Sequence, residues 1–289
     1  MELMKTRATI WRPAQILAAL DLSPRSNTIL QYAVAIARRF DARIYLTHVL
    51  TDAQDTSSSE SPAGAQRQLS ALLKSAEMAG VCGEILLERG FLWQTLDALI
   101  RQHGISLLVA GTHGCTETTE ESEGTRAELF SRHAGCPVLT VGPRVADSAA
   151  ASASTVANIL FATDFGRASE HAVPYACALA QEYKAKLTLV HVLDTANNYS
   201  AQGVATQREI VRTRLLESVP EGTTEACKAD FVVRVGDAAK EILNLADSTR
   251  ADLIVMGAKS GKTLLNHLPE PTTCAVIAAA KCPVFTVRN

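Results

Sequence analysis

A glycine-rich stretch holds the residue types best suited to binding chemistry. Gly111, Gly114 and Gly124, with Thr125 after the last, follow an apolar run at residues 105–110. An apolar run of this length next to glycine is typical of a central parallel strand, and glycines at its carboxyl end let backbone N–H groups approach a ligand. Open α/β sheets bind ligands at that edge. The stretch therefore predicts a binding site.

The spacing of this stretch is specific. It runs Gly, two residues, Gly, nine residues, Gly and then Thr. It resembles the motif that follows the fourth strand in ATP-binding members of the universal stress protein family. Residues 124–141 also look like the last helix and strand of that family, and the resemblance covers nearly the whole chain apart from the first dozen residues and a linker. It implies an adenine-nucleotide site in the first half.

Asp21 ends the predicted first strand, where a carboxylate can anchor a ribose or a base. By resemblance, the Asp21 side chain contacts the nucleoside and the backbone of Val49 meets the adenine. The resemblance also implies that the turn that contacts ribose and phosphate is formed by Gly111, His113 and Gly114. It implies that the helix start that binds phosphate is formed by Gly124, Thr125 and Arg126. No metal-ligating set is predicted.

Each of these residues also has a simpler interpretation. Asp21 precedes Ser23-Pro24 and can act only as a turn or helix-capping carboxylate. His113 can be an ordinary loop residue, and the glycines can serve tight turns alone. His48 and His191 lie inside predicted strands, where hydrogen-bonded core residues are more common than ligands.

The nine-residue spacer at 115–123 contains four glutamates. A carboxylate within several ångströms of a phosphate repels it by about 1 kcal/mol or more unless it is screened or bridged by a cation. Three outcomes therefore stay open for the pocket: ATP bound with Mg²⁺ or Mn²⁺, a preference for AMP, or no ligand. A solvated acidic loop is an equally good interpretation of the spacer.

The chain is a tandem duplication. Residues 40–50 match residues 183–193, and Asp21 and His48 have counterparts Asp164 and His191 at the same separation. Gly111 and the Cys-Pro pair at 136–137 have counterparts at 257 and 282–283, where the separation is three residues longer. Self-similarity of this kind predicts two copies of one structural unit.

The second copy of the motif has changed. Glu270 and Pro271 stand where Gly124 and Thr125 stand in the first half. Proline has no N–H for phosphate and glutamate repels it, so this site is expected to be disabled for ATP although Asp164 remains. The Gly-Lys-Thr at 261–263 is not a Walker A motif, because position 256 is Met rather than the required Gly.

Strand and helix patterns alternate through both halves, which indicates an α/β fold with parallel sheets and helices on both faces. The resemblance implies two five-stranded Rossmann-like domains of strand order 3-2-1-4-5. The predicted domains are residues 1–146 and 157–289, joined by an Ala/Ser-rich linker at 147–156. Within the first half, strands are expected at 16–20, 44–49, 85–88, 107–110 and 138–141. Ser23-Pro24 is expected to open the first helix, and further helices are expected at 69–78, 93–101 and 126–134.

Composition narrows the function classes. Of the 289 residues, 47% are hydrophobic and 20% charged, which fits a globular protein, and a net charge of −2 gives no footprint for nucleic acid or anionic membrane. No leader-like or membrane-spanning apolar segment occurs in the sequence, and the seven cysteines form no CxxC pair. A cytoplasmic protein with reduced, mostly buried thiols is expected.

The leading hypothesis is a tandem universal stress protein whose N-terminal domain binds an adenine nucleotide as a stress-response signal. The alternatives are a non-nucleotide interaction or scaffold module and a slow ATPase; no Gly-x-Ser-x-Gly elbow or other hydrolytic constellation supports stronger catalysis. The resemblance implies that the last strands pair the two domains into a pseudo-dimer. A further homodimer is left open.

Overall fold

The computed structural model describes residues 11–50, 61–112, 130, 133–147, 154–194, 201–258 and 272–288. The chain forms two compact units. The first is Arg12–Ser154, and the second combines Thr155–Asn289 with Met1–Trp11. The predicted linker at 147–156 stays a prediction.

The first unit alternates strands and helices as the sequence indicates. Its elements are β1 Gln15–Ala19, α1 Ser26–Phe40, β2 Arg43–Leu50, α2 Pro62–Met78, β3 Gly83–Arg89, α3 Leu92–Gln102, β4 Leu107–Gly111 and β5 Val138–Val141. The strands are parallel and lie in the order β3-β2-β1-β4-β5. The predicted strand order 3-2-1-4-5 is therefore confirmed.

This order places β1 and β4 side by side in the middle of the sheet, with Ile16 opposite Leu107 and Ala19 opposite Ala110. The side chains of β4 from Leu107 to Ala110 are buried, as a strand covered on both faces requires. Since parallel strands share one direction, β1, β2 and β4 all end at the same edge of the sheet. That edge is where a ligand site is expected.

The core on one face is built from α3 and the sheet. Leu96, Leu99 and Ile100 of α3 pack with Leu17 of β1 and Leu108 of β4 in one buried cluster. Leu99 and Ile100 lie three and four residues after Leu96, so the three side chains share one face of the helix. Their burial anchors α3 against the strands whose ends form the edge described above.

The second unit repeats this architecture. Its elements are β6 Asn158–Ala162, α4 Arg167–Tyr183, β7 Lys186–Leu193, α5 Ala201–Glu217, α6 Thr223–Ala226, β8 Asp230–Val235, α7 Ala238–Thr249, β9 Leu253–Ala258, α8 Thr272–Ala279 and β10 Val284–Arg288. The strands are again parallel, in the order β8-β7-β6-β9-β10. Trp11 belongs to this unit, and its ring packs 5.3 Å from that of Phe285.

Two helix boundaries differ from expectation. The second helix was expected from residue 69, but α2 begins at Pro62 because the Ser61 hydroxyl accepts a hydrogen bond from the Gly64 N–H at 3.1 Å. Ser23-Pro24 was expected to open the first helix, but α1 begins at Ser26 after a separate turn. The helix expected at 126–134 lies mostly outside the described residues.

The first turn of α1 also fixes the segment that follows β5. The Arg25 guanidinium donates to the carbonyl oxygens of Gly142 and Val145, both at 3.0 Å. The Thr28 hydroxyl donates to the Asp147 carboxylate. The chain as far as residue 147 is therefore bound to the first unit.

Candidate functional site

The site begins with the turn between β1 and α1. Oδ1 of Asp21 accepts hydrogen bonds from the Ser23 N–H and from the Ser26 hydroxyl, each at 3.0 Å. Leu22 between them has a φ of 59°, in the left-handed region that a leucine adopts at a cost of about 1–2 kcal/mol. The two bonds to one carboxylate oxygen hold this strained turn in place.

The second unit contains the same turn. Oδ1 of Asp164 accepts from the Gly166 N–H at 2.9 Å and from the Ser169 hydroxyl at 2.7 Å. Phe165 has a φ of 57°, matching Leu22. The turn is therefore a feature of the duplicated fold, and its presence alone does not mark a ligand site.

A cleft opens where β1, β2 and β4 of the first unit end. Asp21, Val49 and Gly111 all line it. The other described lining residues are Ala19, Leu20, Ile29, Thr47, Leu92, Leu96 and Phe130. The structure thus gathers at one place three of the residues that the sequence singled out.

The chemistry of the cleft is apolar with one charge. Among its described lining residues only Asp21 is charged, and the Thr47 hydroxyl is already donated to the Leu86 carbonyl at 2.8 Å. Leu96 and Phe130 are almost fully buried. Such a surface suits a flat apolar group that carries a hydrogen-bond donor.

Gly111 has a packing role in addition to its place in the cleft. A Cβ on Gly111 would lie 2.8 Å from Cδ1 of Ile29 in α1. At the corresponding Gly257, a Cβ would lie 2.4 Å from the backbone of Ala168 and Ser169 in α4. Both glycines therefore allow the first helix of their unit to approach the fourth strand.

Sequence reasoning missed the apolar wall of the cleft. Leu92 and Leu96 lie one helical turn apart in α3, and the Trp93 ring lies 6.2 Å from that of Phe130. The i, i+4 spacing of the two leucines after the third strand was a usable signal. The contribution of Phe130 depends on tertiary packing and had no local signal.

Five predicted site residues lie outside the described residues: His113, Gly114, Gly124, Thr125 and Arg126. The acidic spacer at 115–123 and the second-half loop at 259–271 lie outside them as well. The phosphate-binding half of the predicted site therefore stays a prediction.

Both strand histidines are hydrogen-bonded to the backbone. Nδ1 of His48 lies 2.8 Å from the Leu20 carbonyl oxygen, and His48 is buried. Nδ1 of His191, which is half-buried, lies 2.8 Å from the Thr163 carbonyl oxygen. The interpretation of His48 as a hydrogen-bonded core residue is confirmed.

Most of the described cysteines are buried: Cys177, Cys227, Cys274 and Cys282. Burial raises the pKa of Cys136 to about 12. Burial, and then the carboxylates of Asp252 and Asp247, raise the pKa of Cys282 to about 12. A thiol that stays protonated is a poor nucleophile, so these residues serve packing.

The described residues contain no group of three or more His, Cys, Asp or Glu placed to hold a metal ion. None of the helices in that part of the chain is long and apolar enough to cross a membrane.

Comparisons with known proteins agree with this architecture. The model of the universal stress protein family matches residues 14–142 and again residues 155–288. A Thermus aquaticus protein described as a universal stress protein in the QAH/OAS sulfhydrylase 3′ region is 29% identical over 133 residues, covering 45% of this chain and 97% of that protein. A universal stress protein A homolog from Haemophilus influenzae is 36% identical over 113 residues, covering 34% of this chain and 76% of that protein.

A solved structure has the same fold over nearly the full length. The universal stress protein from Archaeoglobus fulgidus DSM 4304 superposes with a TM-score of 0.72 at 18% identity, covering 96% of this chain and 99% of that one. Two parallel-sheet units, each matched by the family model, define a tandem protein. The chain belongs to the universal stress protein family.

Proposed function

We propose that the first unit binds an adenine nucleotide, ATP or AMP, as a signal that changes how the protein associates. One observation carries this proposal. Asp21 follows the end of β1, and Val49 and Gly111 lie at the ends of β2 and β4; all three line one cleft at the edge of the sheet where α/β proteins bind ligands.

The cleft chemistry supports the nucleoside part of the ligand. One oxygen of Asp21 is held by the turn, and none of the hydrogen bonds among the described residues uses the other oxygen, Oδ2. An ionised carboxylate only accepts hydrogen bonds, so Oδ2 suits a ribose hydroxyl or a base amino group. Leu92, which is half-buried and packs against the buried Leu96 and Phe130, offers an apolar surface to the flat face of a base.

The phosphates need a different part of the site. Because the one charged residue among the described lining is an acid, phosphate binding would depend on Gly124, Thr125 and Arg126, with Mg²⁺ or Mn²⁺ offsetting the acidic spacer. If this division holds, adenosine binds through the cleft alone, and AMP and ATP gain affinity from residues 124–126.

One observation favours a second candidate function instead of nucleotide binding. Both hydrogen bonds to Oδ1 of Asp21 are repeated at Asp164, in the unit where the motif for phosphate is lost. The carboxylate can therefore serve the fold alone, in a protein that acts as an interaction or scaffold module.

Calorimetric titration of the full-length protein separates the two. Adenosine, AMP and ATP are titrated with and without Mg²⁺ or Mn²⁺ into the parent, Asp21→Asn and Asp164→Asn. Loss of a hydrogen bond to the charged carboxylate should weaken nucleotide binding about tenfold in Asp21→Asn, while Asp164→Asn binds as the parent does. Gly124→Glu should weaken ATP and AMP but leave adenosine unchanged.

Other results would favour the alternative. If the parent binds none of the three ligands, the interaction module replaces the nucleotide site. If Asp21→Asn and the parent bind equally, the site has been assigned to the wrong residues. We also propose that the protein is cytoplasmic and that its two domains pair through their last strands. A measurement of the mass in solution decides whether a homodimer forms as well.

A further inference from the structure

The side chain of Ser26 contacts the site through another residue, Asp21. It lies in the first turn of α1 and is 2% exposed. Its hydroxyl donates to Oδ1 of Asp21 at 3.0 Å, and the Ser23 N–H donates to the same oxygen. Ser26 does not itself line the cleft.

Two donors on one carboxylate oxygen limit the rotation of the Asp21 side chain. The oxygen that they hold is no longer available to a ligand, so a ligand must use Oδ2. A group that is already oriented before binding loses less conformational entropy when the ligand arrives. The hydroxyl of Ser26 can therefore increase affinity without touching the ligand.

We propose that Ser26 is a positioning residue for the nucleotide site, because it fixes the orientation in which Asp21 presents Oδ2 to the nucleoside. This inference rests on the proposed function. It also goes beyond it, since neither the Gly-rich pattern nor the lining of the cleft includes Ser26.

The second unit supplies a matched control. Ser169 makes the same bond to Oδ1 of Asp164, at 2.7 Å, and is 4% exposed. The Ser169 hydroxyl also accepts from the Asp164 N–H at 3.4 Å, so its removal should disturb its own turn at least as much as removal of the Ser26 hydroxyl disturbs the first. Only the removal at Ser26 should change ligand binding, because the second unit has lost the phosphate motif.

The test compares Ser26→Ala and Ser169→Ala by calorimetric titration with adenosine, AMP and Mg-ATP. Ser26→Ala should weaken all three ligands by a similar factor of about five, because the nucleoside contact is common to them. Ser169→Ala should bind as the parent does. Thermal unfolding of each variant checks that both remain folded, and Ser26→Thr, which keeps the hydroxyl, should bind within about twofold of the parent.

A double-mutant cycle shows whether Ser26 acts through Asp21. In an Asp21→Asn background, adding Ser26→Ala should cause no further loss of affinity. An equal further loss would show that Ser26 acts only on the general fold and would overturn the inference. So would unchanged binding in Ser26→Ala. If the parent binds no adenine ligand, the proposed function and this inference fail together, whereas the other two results leave the proposed function intact.

Discussion

The turns after β1 and β6 share the two hydrogen bonds to Oδ1 of their aspartate. The second turn has a further bond, from the Phe165 N–H to the Thr163 hydroxyl at 2.9 Å, and the surroundings of the two turns differ. Asp21 is half-buried at the cleft, while Asp164 is exposed. In the second unit the Phe165 ring lies 4.7 Å from that of His191, and the Arg214 guanidinium lies 4.2 Å over it. Leu22 in the first unit offers no aromatic face. The common part of the two turns serves the fold, so any difference in binding must come from what surrounds them.

The helices that follow the third strands differ as well. Asp237 caps α7, since its carboxylate accepts from the Lys240 N–H at 2.9 Å. Phe91 occupies the same position before α3, makes no side-chain cap and is 77% exposed. The first unit therefore lacks this stabilising cap at the helix that contributes Leu92 and Leu96 to its cleft.

The largest expected difference between the units is at the paired glycines. Gly257→Ala should destabilise the second unit by about 3 kcal/mol or more, because the new methyl group meets the backbone of Ala168 and Ser169 at 2.4 Å. Gly111→Ala should cost about 1 kcal/mol, because the flexible end of Ile29 can move. Urea unfolding followed by circular dichroism measures both.

The glycine comparison has a clear contrary result. Equal losses in the two variants would mean that α4 can shift from β9 as easily as the side chain of Ile29 can shift from β4. A variant at Gly257 as stable as the parent would show that the close approach of α4 is not needed.

The next largest effect is expected at Cys136 and Cys282, which occupy equivalent positions in the two units. Burial raises the pKa values of Cys136 and Cys282 from 9.0 to about 12. Above pH 9 the unfolded chain therefore releases these protons before the folded protein does. Their contribution to stability is complete below pH 9 and falls by about 1.4 kcal/mol per pH unit for each thiol as the pH rises towards 12.

Serine does not titrate in this range. Cys136→Ser and Cys282→Ser should therefore each lose less stability than the parent above pH 9, by about 1.4 kcal/mol per pH unit. The measurement is urea unfolding of the parent and both variants at pH 8 and pH 10.5. If either variant loses stability with pH as steeply as the parent, that thiol ionises as readily in the folded protein as in the unfolded chain.

The smallest effect concerns the helix caps. Asp237→Ala should destabilise the second unit by about 1 kcal/mol, since the Lys240 N–H loses its acceptor. Phe91→Asp should stabilise the first unit by a similar amount, about 1 kcal/mol, by providing the missing acceptor. Thermal unfolding measures both, and Phe91→Ala separates the gain of a cap from the removal of an exposed ring. A Phe91→Asp variant no more stable than Phe91→Ala would contradict the prediction.

Much of the fold was predictable because its signals are local. The apolar run at 105–110 and the repeated strand around His48 and His191 gave the parallel sheets and the duplication. Helix starts were harder, because the same Ser-Pro pair has two outcomes. Ser61 caps α2, whereas Ser23 is taken by the Asp21 turn and α1 begins three residues later.

The site was predictable only in part. Asp21, Val49 and Gly111 follow from strand ends, which the sequence indicates. Phe130 comes to the cleft through packing between distant segments, for which one sequence has no signal. The bond from Ser26 to Asp21 depends on a left-handed Leu22, a conformation that leucine rarely adopts.

The contacts at Gly257 also bear on how related sequences should be searched. A glycine at the end of the fourth strand of the unit is present here in the copy whose phosphate motif has been lost, and α4 leaves no room for a side chain there. Counting that glycine as evidence for a nucleotide would give false positives among family members that have the helix but no ligand. The more informative positions for such a survey are the third glycine and the hydroxyl residue after it.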